Sequence, residues 1–176
     1  MVSCSGEKYT SDDVIAILDG EAITGLDIMA RYQLEDKFIK MYLQEEVVIA
    51  EAKDRGLVVS DEELIEKKQA LFPGATPNEI YQMLDETEFY EKQAAILGMK
   101  PVEYYEMWHD TYYYREAYFQ KYVEEFFETP NYSIDGLSEE EIEDLMEEGQ
   151  KWGRKIEAHI EELFALYQED GRLILY

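Results

Sequence analysis

The sequence predicts a mainly helical protein with one small β-sheet, formed by a hairpin near the N-terminus and a strand at the C-terminus. Two features predict the sheet: Asp19-Gly20 between short apolar runs, which is a strong hairpin signal, and the closing run RLILY. The rest is predicted to be helical, because capping residues repeatedly precede segments whose apolar side chains are three or four residues apart.

The predicted sheet has three strands. Its hairpin joins residues 14–18 to residues 21–23, and a hairpin of two strands is only marginally stable in water. Residues 172–176 are the only other strand-like run in the sequence. Pairing of this run with residues 14–18 would complete a small antiparallel or mixed sheet and bring the two chain ends together.

Helices are predicted over residues 24–55, 60–72, 76–85, 88–97, 101–128 and 138–169. Thr24 is an N-cap for the first of these, and Gly56 supplies the left-handed residue that stops it. Three of the others begin with capping boxes: Ser60 with Glu63, Thr76 with Glu79, and Ser138 with Glu141. The stretch TPNYSIDG is a loop by composition.

The composition argues against several classes of partner. A formal charge of −25 over 176 residues would repel a nucleic acid, and the chain has no basic face for anionic lipid. Its single cysteine, Cys4, leaves no internal disulfide and no cysteine-based zinc site. We expect a solvated acidic surface, with attraction of basic client segments or cations as the alternative.

The fifth predicted helix carries aromatic side chains around its circumference. One stripe is predicted to face the core: Tyr104, Tyr105, Trp108, Tyr112, Phe119, Tyr122, Val123 and Phe126. Met107, Tyr114 and Tyr118 lie on a second flank, and Tyr113 and Phe127 on a third. These extra flanks indicate further core, a dimer contact or an exposed groove for peptides.

The order of these elements resembles that of the SurA/PrsA-like family of extracytoplasmic bacterial chaperones and foldases. The similar stretches are DGEAIT at residues 19–24, EAKDRGLVVSDEE at residues 51–63 and GMKPVEYY at residues 98–105. The resemblance covers most of residues 14–128 and, more weakly, the closing helix and strand. It implies a SurA N-terminal-like helical module.

In domain terms, the resemblance implies a single chaperone domain over residues 14–176. Its helical arm would span about 60–128, and a returning helix would span 138–169. Better-known members carry a parvulin-type prolyl isomerase domain between these two parts, where this chain has only the loop at 129–137. The resemblance therefore implies a chaperone module without isomerase activity and without a cofactor.

The function that follows is ATP-independent binding of unfolded or secreted polypeptides. The predicted client-binding residues are Met107, Tyr113, Tyr114, Tyr118 and Phe127. Tyrosine combines a large apolar contact with a polar tip that tolerates water, and methionine adapts to many shapes. The alternative is a structural or assembly protein, in which the same aromatic surface is a homodimer interface or a dedicated partner interface.

The N-terminus predicts a location. The stretch MVSCSG, with a small residue before Cys4 and Ser-Gly after it, is typical of the end of a bacterial lipoprotein signal peptide. PrsA-like members are anchored through such a cysteine. The resemblance thus implies lipidation at Cys4, a flexible tether over residues 1–13, and an extracytoplasmic protein of the cell envelope that meets the membrane only through its lipid.

No metal or catalytic site is predicted. Glu106 and His109 have the Glu-x-x-His spacing of a di-iron bundle, but His159 has no acid three residues before it. The chain has no Gly-x-Ser-x-Gly elbow and no glycine-rich phosphate loop. We expect His109 to be a partly buried histidine, beside the core stripe, with its hydrogen bonds satisfied.

Overall fold

The computed structural model describes residues 8–130 and 136–176, which form seven helices and one three-stranded antiparallel sheet. The strands are β1 (Val14–Leu18), β2 (Glu21–Thr24) and β3 (Leu173–Leu175). The helices are α1 (Gly25–Met29), α2 (Asp36–Asp54), α3 (Asp61–Gln69), α4 (Pro77–Gln82), α5 (Glu88–Leu97), α6 (Pro101–Phe126) and α7 (Glu139–Glu169). The predicted mainly helical fold with a small sheet is confirmed.

The two ends of the chain meet in the sheet. Its strand order is β2-β1-β3, and β1 pairs antiparallel with both neighbours. Ile17 lies opposite Ile174 and Leu18 opposite Leu173. The predicted pairing of the C-terminal run with residues 14–18 is therefore confirmed, and it is antiparallel.

Side chains reinforce this closure. The Arg172 guanidinium binds the carboxylates of Asp19 (2.6 Å) and Asp54 (2.7 Å), and it stacks on the ring of Tyr167 with 4.1 Å to the centroid. The hydrogen bond from Arg172 holds the pKa of the Asp19 carboxyl below its usual value. The hairpin turn, α2, α7 and β3 are thus joined at one point.

The main core lies where the sheet, α2, α6 and α7 meet. Buried side chains on these elements form one cluster: Ile15, Ala16 and Leu18 on β1, Leu43, Val47 and Val48 on α2, Tyr118, Tyr122 and Val123 on α6, and Ile156, Leu163, Phe164 and Tyr167 on α7. Apolar contact of this kind is the main force that holds α6 and α7 against α2.

The single helix predicted over residues 24–55 is wrong, because the chain is interrupted at residues 30–35 between α1 and α2. The carbonyl groups near this break accept hydrogen bonds from other elements. Tyr104 donates to Met29 O (2.7 Å), Trp108 to Arg31 O (3.2 Å) and Gln93 to Tyr32 O (2.8 Å). Side chains of α5 and α6 thus satisfy backbone groups that a continuous helix would have satisfied itself.

A turn precedes β1, within the range predicted to be a tether. Residues 10–13 form a turn whose carbonyl groups accept hydrogen bonds from Gly25 N and Leu26 N. Gly25 permits this approach, because a Cβ there would lie 2.1 Å from the carbonyl oxygen of Thr10. Cys4, the predicted lipidation site, lies outside the described residues.

No helix in the described part of the chain is both long and apolar enough to cross a bilayer.

Candidate functional site

The buried side chains of the aromatic helix α6 agree only in part with the predicted stripe. Tyr104, Tyr105, Tyr122 and Val123 are buried, as the predicted stripe requires. Two predicted client-binding residues are buried instead of exposed, however: Tyr118 is 6% exposed and Phe127 is 7% exposed. Both side chains belong to the main core.

Tyr118 lies on the face of α6 that packs against α2, one turn before Tyr122, and so belongs to the main core. Phe127 follows the last residue of α6 and has an extended backbone, with φ −130° and ψ 129°. Its side chain therefore departs from the helical direction and contacts the ring of His159 at 5.2 Å. Phe126, predicted as core, is 39% exposed instead.

The N-terminal half of α6 contributes to a second aromatic cluster, shared with α4 and α5. The ring of Tyr90 lies at its centre, 5.0 Å from the ring of Tyr105 and 5.3 Å from that of Trp108. Tyr81 on α4 adds a further contact with Tyr105 at 5.5 Å. Much of the aromatic excess of α6 is thus used to hold two short helices that have few buried residues of their own.

A groove with a volume of about 310 Å³ lies between α3 and α6, and we refer to it as the α3–α6 groove. It is lined by Val59, Glu63, Glu66, Lys67 and Ala70 from the α3 side and by Ala117, Gln120, Lys121 and Glu124 from α6. Its apolar lining consists of the small side chains Val59, Ala70 and Ala117. Charged groups of both signs surround it, so an apolar side chain could enter while a peptide backbone stays near polar groups.

Helix α3 forms one wall of this groove and is held mainly by polar contacts. None of its residues is buried. Lys68 binds Asp110 (2.7 Å), and Lys121 of α6 binds Glu63 (2.6 Å). Few buried apolar contacts and exposed polar ones are typical of a segment that opens at low free-energy cost.

The capping box at the start of α3 shares a residue with this wall. Glu63 caps the backbone N–H of Ser60 and also accepts a hydrogen bond from Lys121. The Lys121 contact, followed by the bonds from Ser60, lowers the pKa of Glu63 to about 2. Glu63 therefore stays ionised throughout the neutral and mildly acidic range.

The segment around α3 also exposes large apolar side chains to solvent. These are Val58 before the helix, Ile65 within it, and Leu71 and Phe72 after it. None of the four lines the α3–α6 groove, and Ile65 lies on the face of α3 opposite the residues that line it.

Three of the predicted client-binding residues remain accessible. Tyr113 lies one turn before Ala117 on the same face of α6, but none of the five predicted client-binding residues lines the α3–α6 groove. Tyr114 is partly exposed beside the Lys53 ammonium group, which lies 5.6 Å from its ring, and Met107 is half-buried. The sequence did not predict that α3 forms one wall of a groove. The available signal was a well-capped helix with weak apolar periodicity.

His109 is buried on α6, and neither ring nitrogen has a hydrogen-bond partner among the described residues. The expectation of a satisfied, partly buried histidine was wrong, because Tyr105 and Tyr113 flank the ring at 5.8 and 4.7 Å without bonding it. Burial lowers the pKa of His109, while Asp110 opposes this shift and Lys68 supports it.

This burial predicts a pH effect on stability. As pH falls from 7.5 through about 6.5, the usual histidine pKa, the unfolded chain binds a proton before the folded chain does, so the folded state is destabilised. The variant His109→Phe lacks this group, and we expect it to lose less stability between pH 7.5 and 5.5 than the wild type. Urea titration at both pH values measures the difference, and equal losses in the two proteins would contradict the prediction.

Among the described residues, no three histidine, cysteine, aspartate or glutamate side chains converge to form a metal site. Comparison of the chain with protein-family models, curated proteins and solved structures found no match.

Proposed function

We propose that the protein is an ATP-independent chaperone of the SurA/PrsA type, which holds unfolded or extended polypeptide segments in the α3–α6 groove. The observation that carries this proposal is the groove itself, with its small apolar lining and a wall that buries none of its residues. Val59, Ala70 and Ala117 supply the apolar contacts inside it. A client would enter by shifting α3 and leave once it buries its own apolar side chains.

The proposed function needs one helix that is held firmly and another that can move. Helix α6 is fixed from one side by the main core, through residues such as Tyr122, and by the Tyr90 cluster near its N-terminus. Helix α3 is attached from the other side through polar contacts. A fixed floor with a movable wall accepts side chains of different sizes, which suits a protein without a single preferred client.

The charge of the chain indicates which clients would bind first. A net charge of −25 increases the rate of encounter with basic segments, and this attraction weakens as salt screens it. With a small groove, each contact is expected to be weak, with dissociation constants of about 1 μM or higher. A lipid on Cys4 would keep the protein in the cell envelope, where secreted chains emerge.

Filling the groove tests the proposal. Ala70 lies at the exposed edge of α3 and lines the groove, so we expect Ala70→Trp to occupy it and to reduce holding activity several-fold. The measurement is light scattering during dilution of reduced, unfolded lysozyme, with the protein in molar excess. The wild type is expected to suppress aggregation in this assay.

Ala158→Trp is the matched control, because Ala158 is exposed on α7 and does not line the groove. It should suppress aggregation as the wild type does. Equal activity of both tryptophan variants would place client binding elsewhere, and a wild type without activity would exclude a general holding function.

A further inference from the structure

A small cavity lies between α6, α2 and the break that follows α1, and we call it the Arg31 cavity. Its volume is about 180 Å³, and it is lined by Arg31, Glu45, Tyr112, Arg115, Glu116 and Phe119. None of these residues lines the α3–α6 groove, so the two sites are distinct. The lining combines charges of both signs with two aromatic side chains.

The guanidinium group of Arg31 is held by aromatic rings. Its carbon lies 4.6 Å from the centre of the Tyr32 ring, 4.8 Å from that of Tyr112 and 5.2 Å from that of Trp108. No carboxylate in the described part of the chain pairs with it, although the sequence has 41 acidic side chains and only 16 basic ones. Ring faces do not use the N–H donors of a guanidinium, so these donors are available to a ligand.

The break between α1 and α2 fixes Arg31 beside α6. Trp108 donates a hydrogen bond to Arg31 O (3.2 Å), and the ring of the same tryptophan contacts the Arg31 guanidinium. The backbone and the side chain of Arg31 are therefore both attached to α6. A cation that is already held in place loses little conformational freedom when it binds an anion.

The second cation of the cavity, Arg115, is already neutralised. It binds the carboxylates of Glu45 and Glu46. Glu45 is fully engaged as well, because one of its oxygens accepts from Arg115 and the other from the Tyr32 hydroxyl. These groups therefore have little charge to offer a ligand.

Glu116, in contrast, is only loosely paired. Its cationic partner among the described residues is Lys67, at 3.9 Å. Glu116 follows Tyr112 by one turn of α6, which is about 6 Å along the helix axis, and the Arg31 guanidinium lies over the Tyr112 ring. The cavity thus offers a positive charge near one end and a negative charge near the other, with an apolar wall that includes Phe119.

We propose that the Arg31 cavity binds a free α-amino acid with an aliphatic side chain. The α-carboxylate pairs with Arg31, the α-ammonium group pairs with Glu116, and the side chain packs against Tyr112 and Phe119. A net charge of −25 repels a simple anion, whereas a zwitterion carries no net charge. A volume of about 180 Å³ equals that of roughly six water molecules in the liquid, which is room for one small amino acid.

This ligand differs in chemistry from the clients proposed for the α3–α6 groove. A free amino acid carries its carboxylate and its ammonium group on the same carbon. Each end of a polypeptide carries only one of these groups, so a client chain cannot satisfy both Arg31 and Glu116 in this way. Amino-acid binding and client holding are therefore separate activities.

Nuclear magnetic resonance on the full chain, with L-leucine as the probe, tests the proposal. The indole N–H of Trp108 donates to Arg31 O, so its signal reports on the cavity, whereas Trp152 on α7 is an internal reference. We expect the Trp108 signal to shift with a dissociation constant of about 1 mM or lower and the Trp152 signal to stay in place. Leucinamide lacks the carboxylate and isocaproate lacks the ammonium group, and each should bind about tenfold more weakly or worse.

Variants assign the two charges. Arg31→Gln should abolish the leucine-dependent shift, and Glu116→Gln should bind leucine no better than the wild type binds isocaproate. Lys37→Gln is the matched control, because it removes the same charge as Arg31→Gln from an exposed side chain that does not line the cavity. It should bind leucine as the wild type does. Circular dichroism confirms that each variant is folded.

Several results would overturn the proposal. One is a Trp108 signal that does not move at about 20 mM leucine, roughly twenty times the expected dissociation constant. Another is equal binding of leucine and either analogue, since the zwitterion is then not recognised. Unchanged leucine binding in folded Arg31→Gln, or lost binding in Lys37→Gln, would also contradict it. If Arg31→Gln does not fold, Glu116→Gln and the two analogues decide the question.

Discussion

Replacement of Arg115 by methionine is expected to destabilise the protein by about 3–5 kcal/mol, because it leaves two carboxylates without their buried partner. Arg115 is 4% exposed. Its guanidinium binds Glu45 and Glu46, donates to Tyr42 O at 2.7 Å and lies over the Tyr42 ring at 3.8 Å. Urea unfolding at pH 7 measures the loss as a change in midpoint.

Lys121→Met is the matched control for Arg115→Met, because Lys121 lies on the same helix and pairs with Glu63 near solvent. Such pairs contribute about 1 kcal/mol or less, so this variant should unfold close to the wild type. Adding Glu45→Gln and Glu46→Gln to Arg115→Met should recover part of the stability, since the uncompensated charges are then removed. A loss below about 1 kcal/mol for Arg115→Met alone would show that the cluster is hydrated and unimportant for folding.

Leu173→Ala is expected to have the second largest effect, a loss of about 2–5 kcal/mol in the free energy of unfolding. Leu173 is 3% exposed and belongs to the main core, where truncation leaves a cavity beside β1. The effect tests the closure of the chain directly, because a frayed C-terminal strand would tolerate the change.

Leu175→Ala makes the same chemical change in the same strand, at a side chain that is 46% exposed. It should alter stability by about 0.5 kcal/mol or less. Similar losses of unfolding free energy for the two variants would contradict the packing of β3 against β1 and the main core.

Local signals in the sequence were sufficient to predict much of the secondary structure. Ser60, Thr76 and Ser138 begin their helices with the predicted capping boxes, since each box needs only residues within one turn. Gly98 ends α5 in the left-handed conformation for a similarly local reason. The Asp19-Gly20 turn and the pairing of the two chain ends were also predicted, because few other segments could form strands.

The break between α1 and α2 could not be predicted from local signals. Residues 30–35 contain neither glycine nor proline, so their sequence favours a continuous helix. The break is compensated by Tyr104 and Trp108, which lie more than seventy positions away and donate to Met29 O and Arg31 O.

The candidate groove was missed for a related reason. Sequence periodicity places side chains on helix faces, but it does not reveal which faces meet another element. Tyr118 was assigned to an open flank and lies in the core, whereas α3, which has good capping and modest amphipathicity, forms one wall of a groove.

By itself, the sequence determined where most helices and strands begin and end, and it determined that the chain ends pair, because caps, turns and strand patterns act over a few residues. Only the tertiary structure decided that Arg115 is buried, that residues 30–35 leave the helix, and that Tyr118 lies in the core. Burial and the exchange of hydrogen-bond partners depend on which distant surfaces come together, and that is a property of the packed chain as a whole.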